Sequence, residues 1–162
     1  MDKQSADLLT RLGITNAMRK HMIRAVERVI SRLTDPQVMK ETNSTITEAE
    51  MSNMCYLLPE TLLNEPPCVK IVLDRPIHVV GDLRGHFVHL MHMLNTIGHP
   101  PYARYVFLGN YADQGAKSLD TLGILFAYKL LYPNSLYLLR GKHESDLVSR
   151  SYGLYGLLFE EV

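Results

Sequence analysis

Polar side chains follow three short apolar runs in the second half of the chain, and each run ends at a glycine. The runs span residues 77–80, 105–108 and 136–140. The side chains that follow them are Asp82, Arg84, Asn110, Asp113, Gln114, Lys142 and His143. Carboxylates and imidazoles bind metal ions and transfer protons. A turn explains any one glycine–polar pair, but three in succession favour a functional site.

Helical patterns separate the three runs. Phe87, Leu90, Met91 and Leu94 form one pattern, and leucines between residues 119 and 130 form the other. Short strands that alternate with helices predict an α/β fold with a mainly parallel sheet. Functional groups of such sheets gather at the carboxyl ends of the strands, so we expect the seven polar residues at one edge.

The first 34 residues are basic, with seven Lys or Arg against three acidic residues. Apolar residues recur there at helical spacing: Met18, Met22, Val26, Val29, Ile30 and Leu33. This pattern predicts a basic amphipathic helix packed on its own domain, with binding to an anionic membrane surface as the alternative. Further along, Thr47 and Glu50 predict a capping box, and we expect Pro59 to kink or end the helix that follows.

The composition fits one globular domain. The chain has 162 residues, 46% of them apolar, and no net charge, so nothing in the charge balance favours a nucleic-acid partner. The longest apolar stretch, residues 122–131, contains Lys129 and is too short to span a bilayer. Cys55 and Cys68 exclude a disulfide scaffold, and we expect both to be buried thiols of a cytoplasmic protein that could also enter the nucleus.

Three motifs give the chain a family resemblance. Gly-Asp-Leu-Arg-Gly at 81–85, Gly-Asn-Tyr-Ala-Asp-Gln-Gly at 109–115 and Arg-Gly-Lys-His-Glu at 140–144 resemble the signatures of metal-dependent serine/threonine phosphoprotein phosphatases, especially the type-1 catalytic subunit. The resemblance implies N-terminal helices followed by the βαβαβ half of a calcineurin-like metallophosphatase sandwich, truncated. It also implies a basic extension over residues 1–28 and a partial phosphatase-like domain over residues 29–162.

The resemblance also implies a role for each motif residue. Asp82 matches a retained metal ligand and Asn110 a degenerate one, whereas Arg84 and Lys142 occupy ligand positions that are lost. Gln114 stands at a degenerate phosphate-binding position. Asp113 and His143 match a catalytic dyad in which the histidine protonates the leaving serine or threonine oxygen.

Charge argues against the metals that this family uses, two divalent ions such as manganese. The residues at positions 82, 84, 110 and 142 carry a formal +1, where the family's four ligands carry about −2. The family's other metal-binding histidines also lie in a second half that this sequence lacks. We therefore expect no tightly bound metal, and a phosphatase-like protein that is impaired or inactive and acts by binding.

Three alternatives stay open at this point. One is a weakly active phosphoserine or phosphothreonine hydrolase that uses Asp82, Asp113 and His143. Another is a phosphate- or protein-binding module based on Arg84 and Lys142, although we expect these two cations to form salt bridges with Asp82 and Asp113. The third is a chain that does not fold stably.

Two further expectations concern surfaces. Helices can cover only one face of the predicted sheet, so the other face is expected to bind a protein partner or a second copy of the chain. The spacing of His86, His89 and His92 spreads the three around a helix, which argues against a three-ligand zinc site. His86 and His89 alone could share a face, where we expect a solvated pair.

Overall fold

The computed structural model describes residues 13–113 and 115–151, with side chains described through residue 149. Helices and strands alternate in the second half, as predicted. The elements are α1 (Asn16–Leu33), α2 (Glu48–Leu63), β1 (His78–Val80), α3 (Phe87–Ile97), β2 (Tyr105–Phe107), α4 (Ser118–Leu131), β3 (Leu136–Leu138) and α5 (Asp146–Ser151), with short 3-10 turns at Val38–Lys40 and Lys142–Glu144.

The three strands form a parallel sheet in the order β1-β2-β3, which confirms the predicted α/β arrangement. Val79 pairs with Val106, and Val106 pairs with Tyr137. Side chains alternate between the two faces of a strand. Tyr105, Phe107 and Leu136 point to the helix-covered face and have no exposed surface.

The opposite face of the sheet is partly open among the described residues. Val79 is 66% exposed, Leu108 is 47% exposed and Leu139 is 39% exposed, whereas Val106 at the centre is buried. We call the side chains of Val79, Leu108 and Leu139 the open face. A sheet that packs on one side only leaves such apolar side chains in water.

Helix α4 is the centre of the helical layer. It packs against α1, α2, α3 and β3, and most of its residues are buried. Lys129 lies on its inner side without exposed surface; its Nζ donates to the carbonyl oxygens of Pro133 and Leu136 and to the carboxylate of Glu65. A charge without contact to water needs such partners, so this contact joins the end of α4 to β3 and to the segment before β1.

Helix α1 docks on its own domain, as predicted. Met22, Val26, Val29 and Leu33 are buried against the rest of the molecule, whereas Met18 is half exposed. The helix runs without a break through residues 28 and 29, and the proposed domain boundary there stays a prediction. No helix in the described part of the chain is long and apolar enough to cross a membrane.

Helix α2 begins with the predicted capping box. The Thr47 side chain accepts from the backbone N–H of Glu50, and the Glu50 carboxylate accepts from the backbone N–H of Thr47. Pro59 does not end the helix, which continues to Leu63. Proline removes one backbone hydrogen bond from the helix. The burial of Met54, Leu57 and Leu58 against the core stabilises the helix enough for it to continue past Pro59.

The cysteine prediction is wrong. Cys55 and Cys68 are both exposed. On α2 the neighbours of Cys55, Met54 and Leu57, take the buried positions. Cys68 follows Pro66 and Pro67 in a segment without regular secondary structure.

Candidate functional site

The three motif loops meet at the carboxyl ends of the strands, as predicted. They form a pocket of about 320 Å³. Its lining includes six of the seven predicted site residues, namely Asp82, Arg84, Asn110, Asp113, Lys142 and His143. Gln114 lies outside the described residues. Leu108, Gly109 and Gly141 complete the lining.

Glycines allow the loops to approach one another closely. A Cβ placed on Gly109 would lie 2.5 Å from the Cα of Gly141, and a Cβ on Gly115 would lie 2.2 Å from the carbonyl oxygen of Gly85. Gly109 also has a φ of +118°, which other residues rarely adopt. The first loop is therefore fitted to the second, and the second to the third, through contacts that exclude any side chain.

Glu144 holds the second and third loops in register. Its carboxylate accepts hydrogen bonds from the backbone N–H groups of Asn110 at 3.0 Å, Tyr111 at 3.1 Å and Gly141 at 3.0 Å. The sequence places this residue inside the third motif, but the prediction gave it no role. The sequence signal that could have identified this role is a carboxylate three residues after a glycine, where it can accept from backbone N–H groups.

Tyr111 ties the second loop to the sheet. Its hydroxyl lies within hydrogen-bond distance of the carbonyl oxygens of Phe107 and Leu139. Burial raises the pKa of the Tyr111 hydroxyl far above its ordinary value, with a smaller contribution from the charge of Glu144. The group therefore stays protonated and serves as a donor. Its role is to hold the loop in place.

Asp82, which the sequence resemblance assigns to a retained metal ligand, forms hydrogen bonds with neighbouring side chains. Nδ2 of Asn110 donates to Asp82 Oδ2 at 2.8 Å, and Nη2 of Arg84 lies 3.2 Å from the same oxygen. The hydrogen bond from Asn110, followed by that from Arg84, holds the pKa of the Asp82 carboxyl below its ordinary value. The predicted Arg84–Asp82 salt bridge is confirmed.

Two of these residues adopt left-handed backbone conformations. Arg84 has a φ of 51° and Asn110 a φ of 55°. Asparagine tolerates this region, whereas arginine does so at a cost of about 1–2 kcal/mol. Hydrogen bonds fix both, because the backbone N–H groups of Leu83 and Arg84 donate to the carbonyl oxygen of Asn110 at 3.0 and 2.9 Å.

Lys142, which the sequence resemblance places at a lost ligand position, has an exposed side chain. The predicted salt bridge between Lys142 and Asp113 is not among the ion pairs of the described residues. Asp113 and His143, the predicted dyad, both line the pocket with Lys142. The charge of His143 also contributes to the lowered pKa of Asp82.

The side chains present do not fit a pair of divalent cations. Asp82 is the single anion among the four positions that the sequence resemblance assigns to metal ligands, and the other three hold an arginine, an amide that donates to Asp82, and a lysine. Arginine and lysine have no lone pair to offer in their charged forms. The described part of the chain also contains no group of three or more His, Cys, Asp or Glu arranged to hold a metal ion.

A small parallel sheet with three loop motifs at its carboxyl edge defines a phosphatase-like α/β fold. The structure is similar to that of a protein serine/threonine phosphatase from Saccharomyces cerevisiae, itself described as similar to human phosphatase PP5, with 27% sequence identity and a TM-score of 0.63. The alignment covers 72% of this chain and 37% of that chain. No family model matches the sequence.

Proposed function

We propose that this chain is a phosphatase-like protein that binds a ligand at the motif pocket and does not hydrolyse phosphoesters. The observation that carries the proposal is the state of Asp82. Its carboxylate is bound by Asn110 and Arg84, the two side chains that stand where the resembling family has metal ligands. A metal ion would have to displace both contacts and tolerate the guanidinium beside it, which repels a cation.

A metal and activity assay on one folded sample tests this proposal. We expect no turnover of a phosphoserine peptide above buffer, with or without added Mn²⁺, and no Mn²⁺ binding by calorimetry. Turnover that needs Mn²⁺ and disappears in His143→Ala would overturn the proposal and favour the weakly active hydrolase. His92→Ala, which changes an exposed histidine away from the pocket, is the matched control.

The pocket has features that suit an anionic group. The charge of Asp82 is compensated by Arg84, whereas Lys142 is exposed and forms no ion pair among the described residues. An ammonium group with free donors binds phosphate as a point charge. Asp113 opposes an anion from the same pocket, so the expected ligand needs additional contacts outside it.

The open face supplies such contacts. Leu108 belongs to both surfaces, because it lines the pocket and is 47% exposed on the sheet. A phosphorylated segment of a partner protein with apolar residues next to the phosphate therefore matches the two surfaces together. In such a complex the motif pocket would bind the phosphate and the open face would bind the apolar residues beside it.

Two variants separate these contributions. We expect a phosphoserine peptide with flanking leucines to bind more tightly than its unphosphorylated form, and Lys142→Gln to remove that difference. Val79→Asp should weaken both peptides. Equal affinity of the two peptides for the unaltered protein would contradict the role of the pocket. Size-exclusion chromatography with light scattering shows whether a second copy of the chain takes the open face instead.

A further inference from the structure

A pair of histidines lies outside the motif pocket, at the start of α3. His86 is the residue before the first turn of the helix, and His89 lies in that turn. Both side chains are exposed. Their ring centroids are 5.4 Å apart and the ring planes are tilted by 43°. The two residues thus share a face of the helix, and the described part of the chain gives neither imidazole a hydrogen bond.

This separation matches two imidazoles that share one metal ion. A metal–nitrogen bond of about 2.0–2.1 Å puts the metal about 3.2 Å from each ring centroid. With a tetrahedral angle at the metal, the two centroids then lie about 5.2 Å apart, and with the right angle of a tetragonal Cu²⁺ site they lie about 4.5 Å apart. The observed 5.4 Å differs from either value by less than about 1 Å, which a side-chain rotation of these exposed rings can cover. We infer that His86 and His89 form a two-imidazole surface site for a transition-metal ion, with water in the remaining positions.

The surroundings determine which metal fits. The rings border a cleft of about 150 Å³ that also contacts Lys117. The Lys117 ammonium is paired with Asp120 at 3.1 Å, so its charge is largely compensated. The helix N-terminus still carries a partial positive charge that disfavours any cation. Only a metal ion with a high affinity for imidazole nitrogen is therefore expected to bind here.

Copper(II) satisfies this condition best, because it heads the Irving–Williams order for nitrogen ligands, and Zn²⁺ and Ni²⁺ follow. Manganese(II) stands lowest in that order and prefers oxygen ligands, so it should not bind here. The histidine site is therefore distinguishable from any binding of Mn²⁺ at the motif pocket. The inference is independent of the proposed function.

Titration of the full chain with Cu²⁺ tests the site. We expect one Cu²⁺ to bind with nitrogen hyperfine structure from two imidazoles in its electron paramagnetic resonance spectrum. His89→Gln should weaken binding at least about tenfold and reduce the spectrum to one imidazole or none. His92→Gln is the matched control, because His92 is an exposed histidine three residues after His89 on the same helix. This variant should leave the affinity unchanged.

Several outcomes would overturn the inference. Equal Cu²⁺ affinity in the unaltered protein and His89→Gln would do so, as would a loss of affinity in His92→Gln of the same size. Loss of binding in His143→Gln together with retention in His89→Gln would assign the ion to the motif pocket. Because His86, His89 and His92 are all exposed, circular dichroism should find each variant folded, and each comparison remains interpretable.

Discussion

The motif loops have two parts with different roles: contacts that position the loops, which we call the frame, and the side chains that line the pocket. The frame consists of the Gly109–Gly141 contact, the three N–H groups on Glu144 and the Tyr111 hydroxyl. It keeps the second and third motif loops at one sheet edge. The pocket side chains Arg84, Asn110 and Lys142 instead stand at positions that the sequence resemblance assigns to metal ligands. The backbone contacts and one carboxylate thus connect these two loops independently of the pocket side chains.

The largest effect should come from breaking the frame at a glycine. Gly109→Ala places a methyl group 2.5 Å from the Cα of Gly141 at a φ of +118°. Neither backbone can move without losing the Glu144 contacts, so we expect the free energy of unfolding to fall by about 3 kcal/mol or more. Urea denaturation followed by circular dichroism measures the change.

Gly81 is the matched control for this substitution. A Cβ there meets no atom within 4 Å, and the backbone is not left-handed. Gly81→Ala should therefore leave the free energy of unfolding unchanged or slightly raised. Similar losses in the two alanine variants would show that the loop contact does not contribute to stability.

A smaller loss is expected when the frame carboxylate is neutralised. Glu144→Gln keeps the shape of the side chain but turns one acceptor into a donor that faces backbone N–H groups. Hydrogen bonds to a charged group contribute about 1.5–3 kcal/mol, and we expect a loss in that range. Glu41→Gln, at an exposed glutamate outside the site, serves as the control. If Glu144→Gln lowers the free energy of unfolding no more than Glu41→Gln does, the hydrogen bonds to Glu144 do not stabilise the loops.

Asn110→Asp tests whether the pocket side chains are arranged for a metal-free state. The new carboxylate would face Asp82 across the present 2.8 Å hydrogen bond. Buried Asn110 would lose that bond, and we expect a loss of about 1 kcal/mol at pH 7.5. Repulsion raises the carboxyl pKa of the pair above its unfolded value, so stability should recover as the pH falls through that raised pKa.

Urea denaturation at pH 7.5 and pH 5 detects this recovery. The unaltered protein is the reference, because its Asp82 pKa is lowered. Its Asp82 contribution is fully present above the unfolded carboxyl pKa, so it does not change between these two pH values and is lost only in more acidic solution. A variant whose stability does not recover relative to the unaltered protein between pH 7.5 and pH 5 would contradict the proposed hydrogen-bonded pair.

The smallest effect belongs to Arg84→Ala. Its guanidinium is more than half exposed, and exposed ion pairs contribute little to stability. We therefore expect at most a small fall in the midpoint of unfolding, together with a rise in the pKa of Asp82 towards its ordinary value. Carboxyl titration by nuclear magnetic resonance measures that rise. An unchanged pKa would mean that the guanidinium does not contribute to the lowered pKa of Asp82.

Periodicity predicted the strands, helices α1, α3 and α4, and the edge where the motifs meet, because these features follow from which side chains are buried. The pattern did not reveal that Asn110 donates to Asp82 or that Glu144 caps two loops. Both contacts join residues about 30 positions apart, and their geometry depends on how the loops fold back. The sequence did not show that α2 continues past Pro59 or that Cys55 is exposed, because both depend on how α2 packs on the core.

The position of α4 has a consequence for how the chain folds during synthesis. Helices α1 and α2 emerge first, yet their main packing partner, α4, spans Ser118–Leu131. At about 5–20 residues per second, roughly 5–20 s separate the synthesis of Leu33 from the completion of α4. During that interval the apolar stripe of Val26, Val29 and Leu33 has no α4 to cover it. Before the sheet exists, the nascent chain therefore has only α2 to cover this apolar stripe.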